Sequence, residues 1–583
     1  MTILAGAVSS RGGVIPDDLI RSMRSALSRN PAHVRQEHRQ SDSYLCKADI
    51  GAYAPAFRVS ASGSVSMAAG HPWLTDTTGD RSKHLESLHD SWDRNEWSVL
   101  ERARGTYCAV HYDPATRVLS LVGDKLGVRP LYYWVGRDYV VFASALRILE
   151  AVAAVPKVLD LRGVTELVAF GHPLGRRTPY AGIQTLHSGE AVHVSQSGIS
   201  LRRYWAWDAI AAADADAPIN TRRIHQLFVS GVRDRLGADA TPVAFLSGGL
   251  DSRCVVSVLC QLGARVRSYT FFRGEQSQDA VLASKISAAL GTEHSAAPWL
   301  EGAEGAIGMM RLTLAASASG GVGEAIRRVV WSGDGGSVGV GLVYVDPDIV
   351  QLMRHGKEQE AIDLFLSRHG GRIGGRPFRR AIGAALHSAV IEGALAELAA
   401  FPGAEPGRRF HLFLMTNNQR RHLSQYYEEI DLNNFEMELP FFDADFLTAV
   451  LSAPFDASLL HGLYARWLDE FPSVTRSVPW QAYPGHVPCP LPVPKELTNQ
   501  WDQGAWYSRQ RSWRRARTRG LLRVILARDF PSRILSRWDL MGYLLAGRMG
   551  LADDVFASGV AETYYRYWSR CGGVYVVPPL GSP

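Results

Sequence analysis

Residues 243–253 read VAFLSGGLDSR, with two glycines and two serines placed between a short apolar run and an apolar-periodic stretch. A strand that turns tightly into a helix presents free N–H groups at the helix start. Gly248 and Gly249 let the backbone approach a ligand closely, so the turn is an anion cradle. Ser247 and Ser252 can donate to phosphate oxygens. Asp251 would repel phosphate unless a cation such as Mg²⁺ lies between them, which makes it a candidate metal ligand. The plainer alternative is a Gly-Ser helix entry with an ordinary N-cap. No G-x-x-x-x-G-K-[ST] loop accompanies it.

The flanking pattern supplies elements to position such a loop. PVAFL (242–246) predicts a buried strand, RCVVSVLCQLG (253–263) a helix ending at Gly263, VRSYTFF (266–272) a strand and DAVLASKISAALG (279–291) a helix. That alternation implies parallel βα units in an open sheet. Beyond about residue 350 the periodicity is helical, interrupted by a Pro-rich stretch at 479–494. The first 205 residues read differently. YCAVHYD (107–113), VLSLVGD (118–124), LYYWVG (131–136) and YVVFAS (139–144) predict meandering antiparallel strands, and 190–205 a hairpin turning at Ser197-Gly198. AIAAADADAPINT (209–221) reads as a linker.

Composition bounds the rest. The protein has 583 residues, 46% hydrophobic and 21% charged, which is ordinary for a globular chain of several domains. A net charge of +6 suits an anionic ligand without requiring nucleic acid. Cys46, Cys108, Cys254, Cys260, Cys489 and Cys571 form no CxxC pair, which argues against a zinc site or a disulfide framework and for a reducing compartment. The N-terminus does not read as a signal peptide, and no apolar run is long enough to span a bilayer. The expectation is a cytoplasmic protein.

Several stretches in sequence order resemble the asparagine synthetase family. VAFLSGGLDSR matches the pyrophosphate-binding loop of the PP-loop ATP pyrophosphatases, and residues 267–294 resemble the family's adenine-side segment. WSGDGGSVGVGLVY (331–344) is similar to its SG-(D/E)-G-x-D-E-x-x-G-G-Y stretch, and NNFEMELPFFDADF (433–446) to its V-E-x-R-x-P-F-L-D segment. GTYCAVHYD, DKLGVRPLYYW, FASALRILEAV and residues 169–208 look like the second half of its glutaminase domain. The resemblance implies a fold of α/β and α+β type. Residues 1–208 would form a glutaminase-like antiparallel β sandwich. After a linker at 209–221, residues 222–583 would form an adenine-nucleotide α-hydrolase-like domain with a parallel sheet and a helical extension.

The resemblance also implies ATP and Mg²⁺ as cofactors. Leu246 and Phe271 would contact adenosine through backbone groups. Ser247, Gly248, Gly249 and Ser252 would bind phosphates, Asp251 the metal, and Ser332 and Gly333 the α-phosphate or ribose. The family's second metal carboxylate falls on Ser337, with Asp334 or Asp279 as substitutes. A Tyr–Glu pair that deprotonates the amine in β-lactam synthetases falls on Asp334 and Glu436. The alternative for Glu436 is a buried partner for an arginine. Lys495 is the nearest candidate for the lysine that stabilises adenylation.

Glutamine-hydrolysing members use a cysteine directly after the initiator Met. Here Thr2 follows Met1, and the N-G-E-I-Y-N stretch is replaced near AAGHPWL (68–74). The first domain is therefore expected to release no ammonia, and the amine to come with the substrate. Ser337 and PWQAYPGHVPCPLP (479–492), with His486, resemble the lasso-peptide cyclase branch, which joins a peptide's N-terminal amine to an Asp or Glu side chain. That branch implies a precursor core peptide, a leader-binding protein and a leader peptidase as partners, with no nucleic acid and no membrane insertion. Asparagine or β-lactam synthesis, and a binding protein without activity, are the alternatives. The basic run at 506–520 reads as a solvated helix face or a grip on an acidic partner, and YYEE (426–429) as lining or underpacking of the site.

Overall fold

A computed structural model describes residues 2–77, 79–214, 217–272, 277–298, 329–371, 373, 376–481, 491–492, 511–549 and 555–577. Residues 107–144 supply the four expected strands, but not as one meander. Tyr107–Asp113 and Val118–Gly123 form one antiparallel hairpin, Tyr132–Val135 and Tyr139–Ala143 another, and the two hairpins belong to different sheets. The chain crosses between sheets at Asp124. Its buried carboxylate accepts the N–H groups of Leu126 (2.9 Å), Val128 (3.1 Å) and Arg129 (3.1 Å), which folds the connection tightly enough to change layer.

One six-stranded sheet is ordered Ile183–Thr185, Tyr132–Val135, Tyr139–Ala143, Thr2–Ser9, Ser43–Asp49, Val34–Arg39. The other is ordered Gly198–Arg203, Glu190–Ser195, Val118–Gly123, Tyr107–Asp113, Val65–Gly70, Phe57–Val59. The strands of both pair antiparallel. Leu4, Leu45, Met67, Val110, Leu121 and Phe142 fill the space between the sheets, giving the sandwich. The 190–205 hairpin forms, but Ser195 lies opposite Gly198, so its turn is at Gln196-Ser197, one residue before the expected Ser197-Gly198.

Past residue 209 the expected linker is anchored at Ala213, whose N–H donates to the Ser452 carbonyl at 2.9 Å. The helix Thr221–Leu236 then begins, with Asn220 capping it. A five-stranded parallel sheet follows, ordered Glu293–Pro298, Arg267–Phe272, Val243–Phe245, Val329–Trp331, Glu436–Glu438. The first of these strands in the chain lies at the centre. The next two add to one side and the last two to the other. The order therefore reverses between Val243–Phe245 and Val329–Trp331, and in such sheets ligands sit in the crevice at the carboxyl ends of the strands that flank the reversal. The helices Leu250–Gln261 and Gln278–Leu290 match the sequence reading, and Gly263 (φ +86°) and Gly291 (φ +72°) supply the left-handed backbone that ends them. From Pro347 to Trp568 the described residues are mostly helical. Among the described residues no single helix is long and apolar enough to cross a membrane.

The two halves share one core, a continuous apolar cluster running from Ile3 through Val243 to Cys571. Buried guanidinium groups join them further. Arg420 donates from Nε to the Gly127 carbonyl (3.0 Å), from Nη1 to Gly175 (2.6 Å) and from Nη2 to Leu186 (3.1 Å). Asp431 receives Arg29 (2.7 Å) and Arg147 (3.2 Å). The strand Tyr575–Val576 returns to pair in parallel with Leu159–Asp160. Arg420→Ala removes the donor from three carbonyls, each worth roughly 1–3 kcal/mol when left unmet. We expect a loss of several kcal/mol, and separate melting of the two halves in scanning calorimetry where the wild type melts together.

Candidate active site

The Val243–Phe245 strand delivers Leu246 to the crevice. Its N–H donates to the Tyr269 carbonyl at 2.9 Å and its carbonyl accepts the Thr270 hydroxyl. The amide expected to meet adenosine is thus committed to the neighbouring strand, and only the second lone pair of the carbonyl remains. Phe271 lies on that strand, half-buried, with its ring 6.1 Å from that of Phe245. The two rings give the carboxyl end of the sheet an aromatic wall.

The turn after Leu246 is held from within. Ser252 Oγ accepts the Ser247 N–H at 3.0 Å and lies 3.0 Å from Ser247 Oγ. The Gly249 N–H donates to Ser247 Oγ (3.1 Å) and the Gly248 N–H to the buried carboxylate of Asp279 (2.9 Å). Asp279 is therefore a support for the loop. The N–H groups that open the helix at Leu250, Asp251 and Ser252 have no carbonyl acceptors within that helix, as at any helix start. They are the anion-binding end.

Arg253 decides the polarity of the loop. It is fully buried, and all five of its N–H donors reach carbonyl oxygens. Nε bonds Gly249 (2.9 Å), Nη1 bonds Thr475 (3.1 Å) and Val478 (2.8 Å), and Nη2 bonds Gly248 (2.8 Å) and Pro479 (2.9 Å). The glycine carbonyls are drawn inward, away from the ligand side. Every one of these partners is a neutral carbonyl, so the guanidinium keeps its charge beneath the cradle, at a desolvation penalty that brings its pKa down to about 10.

The loop after Val329–Trp331 closes the other wall. Gly333 lies so close that a Cβ there would meet Ser252 N at 2.6 Å and Asp251 C at 2.8 Å, and a Cβ at Gly336 would meet Asp251 Oδ1 at 2.5 Å. The Asp251 carboxylate accepts the Ser337 N–H (2.9 Å) and hydroxyl (2.5 Å) on Oδ2, and the Tyr464 hydroxyl (2.8 Å) on Oδ1. Burial nevertheless pushes its pKa up to about 6, with the nearby charge of Asp334 adding to the rise. Asp334 Oδ2 accepts the Ser332 hydroxyl at 2.7 Å, and the Ser332 N–H donates to the Glu438 carbonyl at 3.0 Å. These residues fit a Mg²⁺ ion. Asp251 Oδ1 keeps one lone-pair direction, Asp334 is the second carboxylate at the mouth, and Mg²⁺ commonly takes one or two carboxylates together with phosphates and water. Ser337, in the place of the family's second metal carboxylate, orients Asp251 instead.

The expected Asp334–Glu436 carboxylate pair does not form. Glu436 begins its strand opposite Val329, whereas Asp334 lies beyond the other end of the adjoining strand. Glu436 instead meets Arg129 at 3.0 Å with both side chains buried, which is the arginine-partner alternative. Arg129 in turn lies 4.6 Å over the Tyr427 ring, so Tyr427 packs beneath this pair, while Tyr426 bonds the Phe435 carbonyl. Two positions along the same face, Glu438 accepts the Tyr53 hydroxyl at 2.5 Å and lies 3.6 Å from Arg235. Burial pushes its pKa up to about 7. Lys495 and His486 lie outside the described residues, as does the first part of the basic run; its remainder begins the helix Arg511–Leu526. In the first domain Thr2 pairs with Asp49, whose carboxylate is held by Lys47 (2.9 Å) and Arg81 (2.9 Å).

Residues 77–205 match the glutamine amidotransferase domain family and residues 223–300 the asparagine synthase family. Over these stretches the chain is similar to asparagine synthetases. Glutamine-hydrolysing asparagine synthetase 3 of Bacillus subtilis is 26% identical over 185 residues, 31% of this chain and 29% of that protein. A putative glutamine-hydrolysing asparagine synthetase of Mycobacterium tuberculosis is 26% identical over 234 residues, 39% of this chain and 35% of that protein. The glutamine-hydrolysing asparagine synthetase of Gallus gallus is 29% identical over 203 residues, 33% of this chain and 34% of that protein. The matched stretch thus spans about a third of each of these relatives. A glutamine phosphoribosylpyrophosphate amidotransferase from B. subtilis aligns with 45% of this chain and 65% of its own at 12% identity, with a TM-score of 0.24, too low to bear on the fold.

Arg253, Tyr464, Ser337 as an orienting group, and Tyr53 and Arg129 from the first domain are site residues that motif reading did not assign. Arg253 directly follows the loop motif, so its position was a usable signal; Tyr464 and Tyr53 carry none.

Two measurements test this geometry. Gly333→Ala drives a methyl into the Asp251–Ser252 backbone. Overpacking of about 1–3 kcal/mol corresponds to ATP binding weakened roughly 5- to 150-fold, read by calorimetric titration. Glu438 has a folded pKa above its unfolded value of about 4.3. Its contribution to stability is complete below that value and is lost as pH rises through about 7. Glu438→Gln should flatten the fall in melting temperature between those pH values.

Proposed function

We propose that the protein is an ATP-dependent, AMP-forming amide ligase, and that it closes the macrolactam of a ribosomal lasso-type peptide by joining an Asp or Glu side chain to the peptide's N-terminal amine. The observation that carries the ligase reading is the loop at the sheet's reversal point. The helix-start amides of Leu250, Asp251 and Ser252 adjoin a buried guanidinium that meets only neutral carbonyls, which suits a pyrophosphate group that gains charge as it leaves. The substrate carboxylate attacks the α-phosphorus, pyrophosphate departs, and the amine then displaces AMP from the acyl carbon. The loop amides and Arg253 hold the departing charge, and Ser332 and Gly333 border the α-phosphate. Asp251 and Asp334 would hold Mg²⁺, which would supply positive charge against the phosphates. An N-terminal amine has a pKa of about 7.7–8, so a useful share is neutral at pH 7. Glu438 is suited to take its proton. Glu436 is not, because losing its charge would leave Arg129 buried and unpaired.

The five described cysteines support an amine carried by the substrate. Cys46, Cys108, Cys254, Cys260 and Cys571 all have thiol pKa values raised by burial, the first two to about 12. Glutamine hydrolysis through cysteine needs a thiolate. The peptide would arrive in the cytoplasm from a leader-binding protein and a leader peptidase. Asparagine synthesis is the second reading, favoured by the names of the relatives.

The two readings separate in a pyrophosphate-release assay. The proposal expects release with a core peptide bearing a free N-terminal amine and a downstream Asp or Glu, and a product lighter by one water. Release with aspartate and ammonia alone would favour the second reading. Asp251→Ala should lower release by roughly 10²–10³-fold; wild-type activity in that variant would remove the metal assignment.

A further inference from the structure

A row of polar side chains crosses the outer face of the second sheet. Ser66, His111, Ser120 and His193 lie opposite one another on four adjacent strands. The helix Arg81–Asp93 and the short turn Trp97–Arg102 cover this face, and the residues around the row are apolar: Ala68, Leu88, Trp92, Trp97, Ala109 and Val122. Buried polar groups in such a layer need a reason.

His89 and Asp93 are four residues apart on the covering helix and so share a face, above His111. The Asp93 carboxylate lies between the two imidazoles. His89 Nε2 is 3.4 Å from Oδ2, and His111 Nε2 is 3.6 Å from Oδ1. Both separations exceed the usual N–H···O range of about 2.7–3.2 Å. They match two donors on one ion, since bonds of ~2.0–2.2 Å at the tetrahedral angle place ligand atoms about 3.3–3.6 Å apart. One donor atom from each of the three residues falls within a 4.8 Å span.

The far sides of the rings are fixed as well. Ser66 Oγ lies 2.8 Å from His89 Nδ1 and 2.9 Å from His111 Nδ1. A hydroxyl oxygen has two lone pairs, so Ser66 Oγ can accept from both Nδ1–H groups; in that tautomer both Nε2 lone pairs face the carboxylate. Ser64 Oγ donates to the Asp93 carboxylate at 2.7 Å, completing a set of outer partners of the kind that orient metal ligands. With both Nδ1 atoms protonated, three acceptors converge, and a cation satisfies them together.

We propose that His89, Asp93 and His111 bind one divalent transition-metal ion of the zinc class, with the fourth position open to water through the partly exposed Asp93 side. The ion clamps the covering helix to the sheet, apart from the nucleotide crevice, and is independent of the ligase reading.

The test uses the full chain, stripped with a chelator, dialysed and titrated with Co²⁺ and Zn²⁺. The proposal expects one ion per chain, the visible absorption of four-coordinate Co²⁺, and a higher melting temperature with Zn²⁺. Asp93→Asn, at a partly exposed position where folding is preserved, should weaken binding at least about 10- to 100-fold, and Ser66→Ala by a comparable or smaller factor. His193→Ala, in the same row but turned to Ser120, should bind as the wild type. Absence of stoichiometric uptake, or equal uptake by wild type and the Asp93 variant, would overturn it.

Discussion

The carbonyl oxygens of Gly248 and Gly249 turn inward onto the Arg253 guanidinium, and this orientation sets the character of the nucleotide crevice. The Gly248 and Gly249 N–H groups are also held within the loop, by Asp279 and Ser247, so the donors left for a ligand are those of Leu250, Asp251 and Ser252 at the helix start. The same guanidinium reaches Thr475, Val478 and Pro479, so the loop and the stretch leading out of the described helical region are tied to one charge. A positive charge met only by dipoles is costly to bury. An anion held by the helix-start amides would offset that cost.

The first half of the chain reaches the same region from the other side. Arg129 holds Glu436 and Tyr53 holds Glu438, so both carboxylates of the edge strand are set by residues more than 300 positions away in sequence. Breaking such a buried pair typically costs several kcal/mol. The sandwich is therefore part of the construction of the site. Arg104, from the same half, bonds Asp443 at 3.1 Å and draws the helix start at Ala444 into the same network.

Much of the fold was legible because its signals are local. The period-2 strands, the strand–turn–helix at 243–261 and the glycines that end helices all depend on near neighbours. The division of residues 107–144 between two sheets was not legible, since it depends on Asp124 gathering amides from both sides of a crossing. Within the site, the loop residues were legible from type and spacing. The role of Glu436 stayed open between a base and an arginine partner, because it is decided by an arginine from another part of the chain. Tyr464 and Tyr53 escaped for the same reason. Cysteine spacing likewise said nothing of His89, Asp93 and His111, whose proximity is made by a helix laid over a strand.

The pairing of Tyr575–Val576 with Leu159–Asp160 sets a timetable for biogenesis. Residue 159 leaves the ribosome long before its partner exists. At about 5–20 residues per second the wait is on the order of half a minute. Through that interval the Leu159–Asp160 edge lacks this partner, so the seam closes only after residue 576 has been made.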